Sequence, residues 1–277
     1  MARDLPDDYS RAALFGPQRR HPYFEGAAER PFQPYATGFD PVNAWWLADA
    51  SLLTYVPEED IVREKLGTAG LEMTFYFDDG PRGFLAEGPE FTILAFRGTV
   101  FPDAHDFQAD FDVRITAFPG GGRVHQGFFD SIRKILPELE PRVAAARSPV
   151  VATGHSLGAA LAVLSAALLE PVTAVTTFGS PRIGDTVFGD RCRRPVWRVL
   201  NNNDLVGRIP PPGLFHHVGK LVYIDRKGRF HQEIRRRDRI VDSVAGQLDR
   251  GTDAVDAVVD HSPLHYAIHA ANALPAL

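Results

Sequence analysis

Ser156 stands in the run Gly154-His155-Ser156-Leu157-Gly158, with the β-like residues 150–153 before it and a stretch of small helix-forming residues from Ala159 onward. A serine between two glycines, on a strand-to-helix turn, is the G-x-S-x-G nucleophile pattern, and the flanking elements matter more than the five letters. Sterics explain the residue types. A sharp, strained turn leaves no space for side chains at the flanking positions, so Gly154 and Gly158 provide clearance while Ala159 and Ala160 let the helix pack closely. Ser156 is then expected to raise its hydroxyl over the end of a sheet. Leu157 opens the helix, where a backbone N–H lacks an intrahelical acceptor and can donate to a developing oxyanion. The chemistry this arrangement serves is attack on an acyl carbonyl. A Gly-Ser turn in an unrelated fold is the competing reading, and the strand and helix on either side argue against it.

A serine hydroxyl is a weak nucleophile near neutral pH, so a histidine must take its proton and a carboxylate must orient that histidine. In strand–elbow–helix enzymes the chain order is Ser, then Asp or Glu, then His. Asp204 fits the second place. It follows the apolar run VWRVL and opens the loop NNNDLVGRIPPPG, where Asn201, Asn202 and Asn203 are expected to hold the turn through side-chain to backbone bonds. Six histidines lie downstream: His216, His217, His231, His261, His265 and His269. His261 sits between an irregular segment and a C-terminal helix, on a loop able to reach back to the sheet, and is the expected base. His265 and His269 follow at helical spacing, but the glutamate of H-E-x-x-H is missing, so a face packed on the domain is preferred to a metal site.

These residues need a scaffold, and the hydrophobic pattern suggests one. Near-continuous apolar runs at residues 91–96, 150–153, 172–178 and 196–200 read as strands buried on both faces, with helical segments between several of them. Alternating strand and helix implies an α/β fold with a mostly parallel sheet. A helix is expected over 43–55, with Trp46, Leu47, Ser51 and Leu52 sharing one buried stripe. A further strand and turn are expected over 219–229, followed by a charged connection. The last helix is expected over 263–273, with Ser262 as its cap and Pro263 at its first position. Residues 1–40, rich in proline, read as an extended arm without chemistry, and 41–277 as a single domain.

Composition narrows the partners. A formal charge of −5 and an apolar fraction of 44% offer no global basic field for nucleic acid. The stretch Arg235 to Arg239 contains Asp238 and is expected to be a solvated face. The single cysteine, Cys192, cannot form an intramolecular disulfide. Residues 1–30 show no apolar core of a signal peptide, so a cytoplasmic location is the default expectation, with secretion following if a leader has been removed. The longest apolar stretch, 159–169, is too short to span a bilayer. No feature indicates an oligomeric state.

Six pieces in order resemble the class 3 lipases, of which the fungal triacylglycerol lipases are familiar members. They are FRGT at 96–99, VHQGFF at 124–129, GHSLGAALA at 154–162, FGSPRIGD at 178–185, NNNDLVGRIPP at 201–211 and DHSPLHY at 260–266. The resemblance covers roughly 43–273 and implies an α/β-hydrolase fold with Ser156, Asp204 and His261 as the triad. It also implies that the backbone N–H of Thr99 joins that of Leu157 in the oxyanion hole. Arg97 is expected to brace its loop by hydrogen bonds, His125 to be packed, and Ser180 to be a turn residue. Two features depart from the fungal pattern. No cysteine pair is available, and an acidic segment over 100–113 replaces the usual apolar lid, leaving Phe101 and Phe107 for a small flap. Interfacial activation is then expected to be modest. The expected substrate is an acyl ester or lipid, with transient contact at a lipid interface, no cofactor and no metal. Phe101, Phe107, Val206, Ile209 and Leu214 are the candidates for an acyl groove. The alternatives are a short-chain carboxylesterase, a phospholipase, and a non-catalytic binding module on the same scaffold.

Overall fold

The computed structural model describes residues 3–99, 113–250 and 258–274, with side chains left aside at 247–250. Phe101 and Phe107, and with them the expected flap, lie outside the described residues. The strands are β1 (Glu72–Phe77), β2 (Gly83–Glu87), β3 (Thr92–Phe96), β4 (Ile115–Ala117), β5 (Arg123–His125), β6 (Val150–His155), β7 (Val172–Phe178), β8 (Val196–Asn201), β9 (Lys220–Ile224) and β10 (Phe230–His231). The helices are α1 (Arg11–Phe15), α2 (Pro41–Leu53), α3 (Glu59–Thr68), α4 (Gln126–Ala144), α5 (Leu157–Leu168), α6 (Thr186–Arg191), α7 (Arg236–Arg250) and α8 (Pro263–Asn272).

One sheet runs β1-β2-β3-β6-β7-β8-β9-β10, and β4 and β5 form a separate two-stranded ribbon. From β3 to β9 every neighbouring pair is parallel. The pairs β1–β2, β2–β3 and β9–β10 are antiparallel. The four apolar runs read from the sequence are the parallel strands β3, β6, β7 and β8. Their continuous hydrophobicity has the expected cause, because alternate residues enter two different cores. Ile93 and Ala95 face a cluster with α2 and α8, whereas Leu94 and Phe96 face one with α4 and α5.

Three expectations need correction. The opening helix, α2, is buried from Ala44 through Leu53 rather than along a single stripe, because it is enclosed between the sheet, α8 and the N-terminal segment. Ser262 occupies the cap position of α8, but its hydroxyl caps nothing. It donates instead to the carbonyl of Leu14, 2.7 Å away, at the end of the five-residue helix α1, where a terminal carbonyl lacks an intrahelical donor. The charged connection after β10 is largely the helix α7.

Residues 1–40, read as an arm, are fastened to the domain. Tyr23, Phe24, Phe32 and Phe39 enter the same core as α2. The fully buried carboxylate of Asp49 accepts from the backbone N–H of Phe24 at 2.8 Å and meets Nε2 of His21 at 3.0 Å. A buried donor left without its acceptor costs about 1–3 kcal/mol. Asp49→Ala is therefore expected to lower the unfolding free energy by about that amount in a urea titration and to speed proteolytic clipping within residues 17–40. Unchanged stability and clipping would show that the segment is held by its aromatic contacts alone.

Candidate active site

β6 ends in His155 and α5 starts at Leu157, so Ser156 alone makes the turn, with φ 57° and ψ −125°. This left-handed conformation is uncommon for a residue with a side chain and is tolerated only where surroundings over-determine it. The surroundings are glycines in van der Waals contact. A Cβ on Gly154 would lie 2.3 Å from the carbonyl oxygen of Gly158, and one on Gly158 would lie 2.2 Å from that of Phe96. Gly98 backs directly onto the serine, since a Cβ there would sit 2.8 Å from Cβ of Ser156. Thr99 follows it and is exposed, while Leu157 occupies the first position of α5.

Asp204 opens the loop after β8, and His261 immediately precedes the cap of α8. Both are buried, and His261 Nδ1 lies 2.9 Å from Oδ2 of Asp204. The same Oδ2 accepts the hydroxyl of Tyr266 at 2.6 Å, and Oδ1 accepts the backbone N–H of Val206 at 2.8 Å. Three donors thus compensate a buried charge. Gly179 lies beneath the pair, where a Cβ would come within 2.6 Å of Asp204 Oδ2 and 2.9 Å of His261 Nδ1. The hydroxyl of Ser156 is buried and, among the described residues, has no hydrogen-bond partner. Asp and His are therefore joined, whereas serine and histidine are not hydrogen-bonded. Such contacts are often long before substrate arrives and tighten in the complex.

Residues without an assigned role in the sequence reading hold this centre. His155 Nε2 lies 2.7 Å from the carbonyl oxygen of His261, and its Nδ1 lies 2.7 Å from the hydroxyl of Tyr55. A carbonyl only accepts, so Nε2 carries the proton and Nδ1 accepts from Tyr55. The rings of His155 and His261 are 4.4 Å apart. Tyr266 also accepts the backbone N–H of Asn201 at 2.9 Å. Asn201 and Asn203 do more than hold their own turn. They bond across to Asp260, at 3.1 Å to its carbonyl oxygen and 3.0 Å to its carboxylate, which ties the Asp204 loop to the segment bearing His261.

The supporting residues behave variously. His125 caps α4 and stacks on Phe128 with ring centroids 4.2 Å apart. Ser180 is buried and donates to the carbonyl of Pro181. Arg97 departs from expectation: its backbone N–H bonds to Arg82, and among the described residues its guanidinium makes no hydrogen bond. Val206 and Ile209 are buried, and Leu214 is exposed. His265 and His269 are buried on α8, and among the described residues no group of three or more metal-ligating side chains is present.

A sequence model of the family described as Lipase (class 3) matches residues 93–214, a span from β3 through Ser156 to the loop after Asp204. Over that span the chain is similar to the class 3 lipases. It is 31% identical over 150 residues to a lipase of Rhizomucor miehei, covering 47% of this chain and 41% of that one. It is 28% identical to triacylglycerol lipase OBL1 of Arabidopsis thaliana, covering 53% of this chain and 39% of that one. The chain thus spans less than half the length of these curated relatives. Among solved structures, the lipase of Rhizopus microsporus var. chinensis superposes with a TM-score of 0.55 at 23% identity, over 69% of this chain and 73% of that one. The Rhizomucor miehei lipase propeptide complex gives a TM-score of 0.57 at 23% identity, over 80% and 76% of the two chains. These likenesses show the α/β-hydrolase fold.

Burial carries His155 well below the ordinary imidazole range, with repulsion from His261 adding to it. Burial likewise brings His217 down to about 3, helped by Arg198 and Arg182. In the unfolded chain both titrate near pH ~6.5. Below that pH the unfolded state binds two protons that the folded state refuses, so stability holds above it and falls below it. The expected slope is about 1.4 kcal/mol per pH unit for each histidine. Urea unfolding between pH ~6.5 and ~5 measures it, and His217→Gln should remove about half the slope. A flat profile would contradict the neutral, buried assignment.

Proposed function

We propose that this protein hydrolyses carboxylic esters, acylglycerols foremost, through an acyl-enzyme on Ser156. The observation that carries the reading is the buried Asp204–His261 pair, 2.9 Å apart, assembled beside a serine held at positive φ. His261 removes the proton of Ser156 as the hydroxyl oxygen attacks the ester carbonyl. Asp204 holds the imidazole by Nδ1 and stabilises the imidazolium that forms. The backbone N–H groups of Leu157 and Thr99 receive the oxyanion, worth about 3–4 kcal/mol for each donor. The alkoxide leaves with the proton from His261, and water, activated by the same base, then releases the acid. This chemistry requires no metal or organic cofactor. Val206, Ile209 and Leu214, on the loop leaving Asp204, are retained as the wall for the acyl chain. The names of the relatives, triacylglycerol lipase and lipase, support acylglycerols as the substrate class.

The experiment is turnover of p-nitrophenyl esters from acetyl to palmitoyl, with emulsified triglyceride as the final substrate. Ser156→Ala is expected to cut turnover by at least about 10⁴-fold. Tyr266→Phe removes one of three donors to Asp204 and is expected to lower kcat by roughly 10- to 100-fold with little change in KM, since it acts through Asp204 rather than on substrate. Strong activity on the emulsion supports an acylglycerol lipase, and its loss beyond short chains supports a simple esterase. No activity on any ester would overturn the reading in favour of a binding module.

A further inference from the structure

A surface helix of a globular protein ordinarily turns its apolar stripe to the core and its polar stripe to water. α7 does the reverse. Over 236–246, the less exposed positions are Arg239, Asp242, Ser243, Ala245 and Gly246, most of them polar or without a side chain. The residues it turns outward are Ile240, Val241 and Val244, which are 52%, 68% and 49% exposed. Spacings of one, three and four residues place these three on a single face.

Polar contacts fasten the inward face. The carboxylate of Asp242 accepts from Asn202 Nδ2 at 3.2 Å, from the hydroxyl of Tyr223 at 3.0 Å and from the backbone N–H of Arg226 at 3.1 Å. Asn203 Nδ2 donates to the carbonyl of Ser243 at 3.0 Å, and the Ser243 hydroxyl donates back to Asn203 Oδ1. Gly246 permits the close approach, since a Cβ there would lie 3.0 Å from Asn202 Nδ2. Among the described residues, Ile240, Val241 and Val244 are left exposed while these bonds dock the helix. Its docking site is the Asn202–Asn203 step immediately before Asp204. Leu214, 61% exposed on the loop that leaves Asp204, adds a further apolar side chain on this loop.

The charge beside the apolar face points to the occupant. Residues 235–239 carry four arginines and one aspartate in a chain whose formal charge is −5. Arg235, Arg236 and Arg237 are exposed, and the 3.4 Å contact of Arg237 with Asp238 is solvent-screened. An apolar face flanked by arginines suits an interface between water and anionic lipid, where aliphatic side chains enter the acyl boundary and guanidinium groups meet phosphate. A second copy of the chain suits it less well, because a two-fold contact through this patch would bring two arginine clusters together.

We propose that α7 is the surface by which this protein docks on anionic lipid, holding the Asp204 side of the active site against the lipid phase. The inference deepens the ester-hydrolase reading by naming the physical state of its substrate, but the binding is measurable without turnover. The test is co-sedimentation of the full chain with vesicles of ether-linked phosphatidylcholine containing phosphatidylglycerol, which hold no ester to cleave, and with vesicles of ether-linked phosphatidylcholine alone. The native chain should prefer the anionic vesicles. Ile240→Ser/Val241→Ser/Val244→Ser should weaken binding by at least about tenfold. Arg235→Gln/Arg236→Gln/Arg237→Gln should remove the anionic preference, on the order of 10²-fold. Both variants should turn over a soluble short-chain ester at the native rate. Failure of the native chain to bind, or equal binding by the serine variant, would overturn the proposal. It would also fall if the serine substitutions abolished self-association in the ultracentrifuge while vesicle binding persisted. Vesicle binding and soluble-ester turnover fail independently, so loss of one proposal is distinguishable from loss of the other.

Discussion

The buried carboxylate of Asp204 is the charge around which the site is organised. A carboxylate removed from water is stable only where several donors meet it in good geometry, and stripping one partner from a buried charge typically costs about 3–5 kcal/mol. Here the donors come from three places: the His261 ring, the Tyr266 hydroxyl on α8, and the backbone of Val206. Satisfying that one group therefore brings the end of β8 and the start of α8 together. Asp260 strengthens the same junction from the other side through Asn201 and Asn203. Even α7 is docked on this loop, through Asn202 and Asn203, so its position is set by the segment that delivers the carboxylate.

The second constraint is steric and belongs to Ser156. Its positive φ survives because β3, β6 and α5 meet through glycines, and any added Cβ at Gly98, Gly154 or Gly158 would collide with backbone. This rigid packing presents a hydroxyl that, among the described residues, no neighbour has claimed. His261 is held from behind by a relay from Tyr55 through His155 to its own carbonyl. A neutral His155 suits that position, because both ring nitrogens are occupied and a proton would add repulsion beside His261.

Much of this was legible in the residues themselves. The parallel strands announced themselves by unbroken apolar runs, as double-faced burial requires, and the elbow by glycines whose clearance the turn demands. Asp204 and His261 could be chosen from loop position and chain order. Their neighbours could not. Tyr266 and Tyr55 lie far from Asp204 and His155 in sequence, and a tyrosine that donates to a buried carboxylate looks like any core tyrosine until the fold brings the two together. β1 and β2 are short, with mixed burial in β1, which weakens the periodic signal of an antiparallel edge. In the sequence alone α7 looks like a solvated charged connection, because its arginines dominate the composition. Its reversed polarity emerges only once Asp242 and Ser243 are known to face inward. Ser262 was a well-placed cap by pattern, but a carbonyl on α1, 248 positions away, competes for its hydroxyl.

The central claim is that Ser156 is a nucleophile activated by His261, and covalent labelling addresses it without assuming a substrate. The intact protein would be treated with a fluorophosphonate and mapped by peptide mass spectrometry, beside His261→Ala. A single adduct on Ser156 is expected, formed far more slowly when the histidine is removed. An unlabelled folded protein, an adduct on another serine, or labelling indifferent to His261 would contradict the claim.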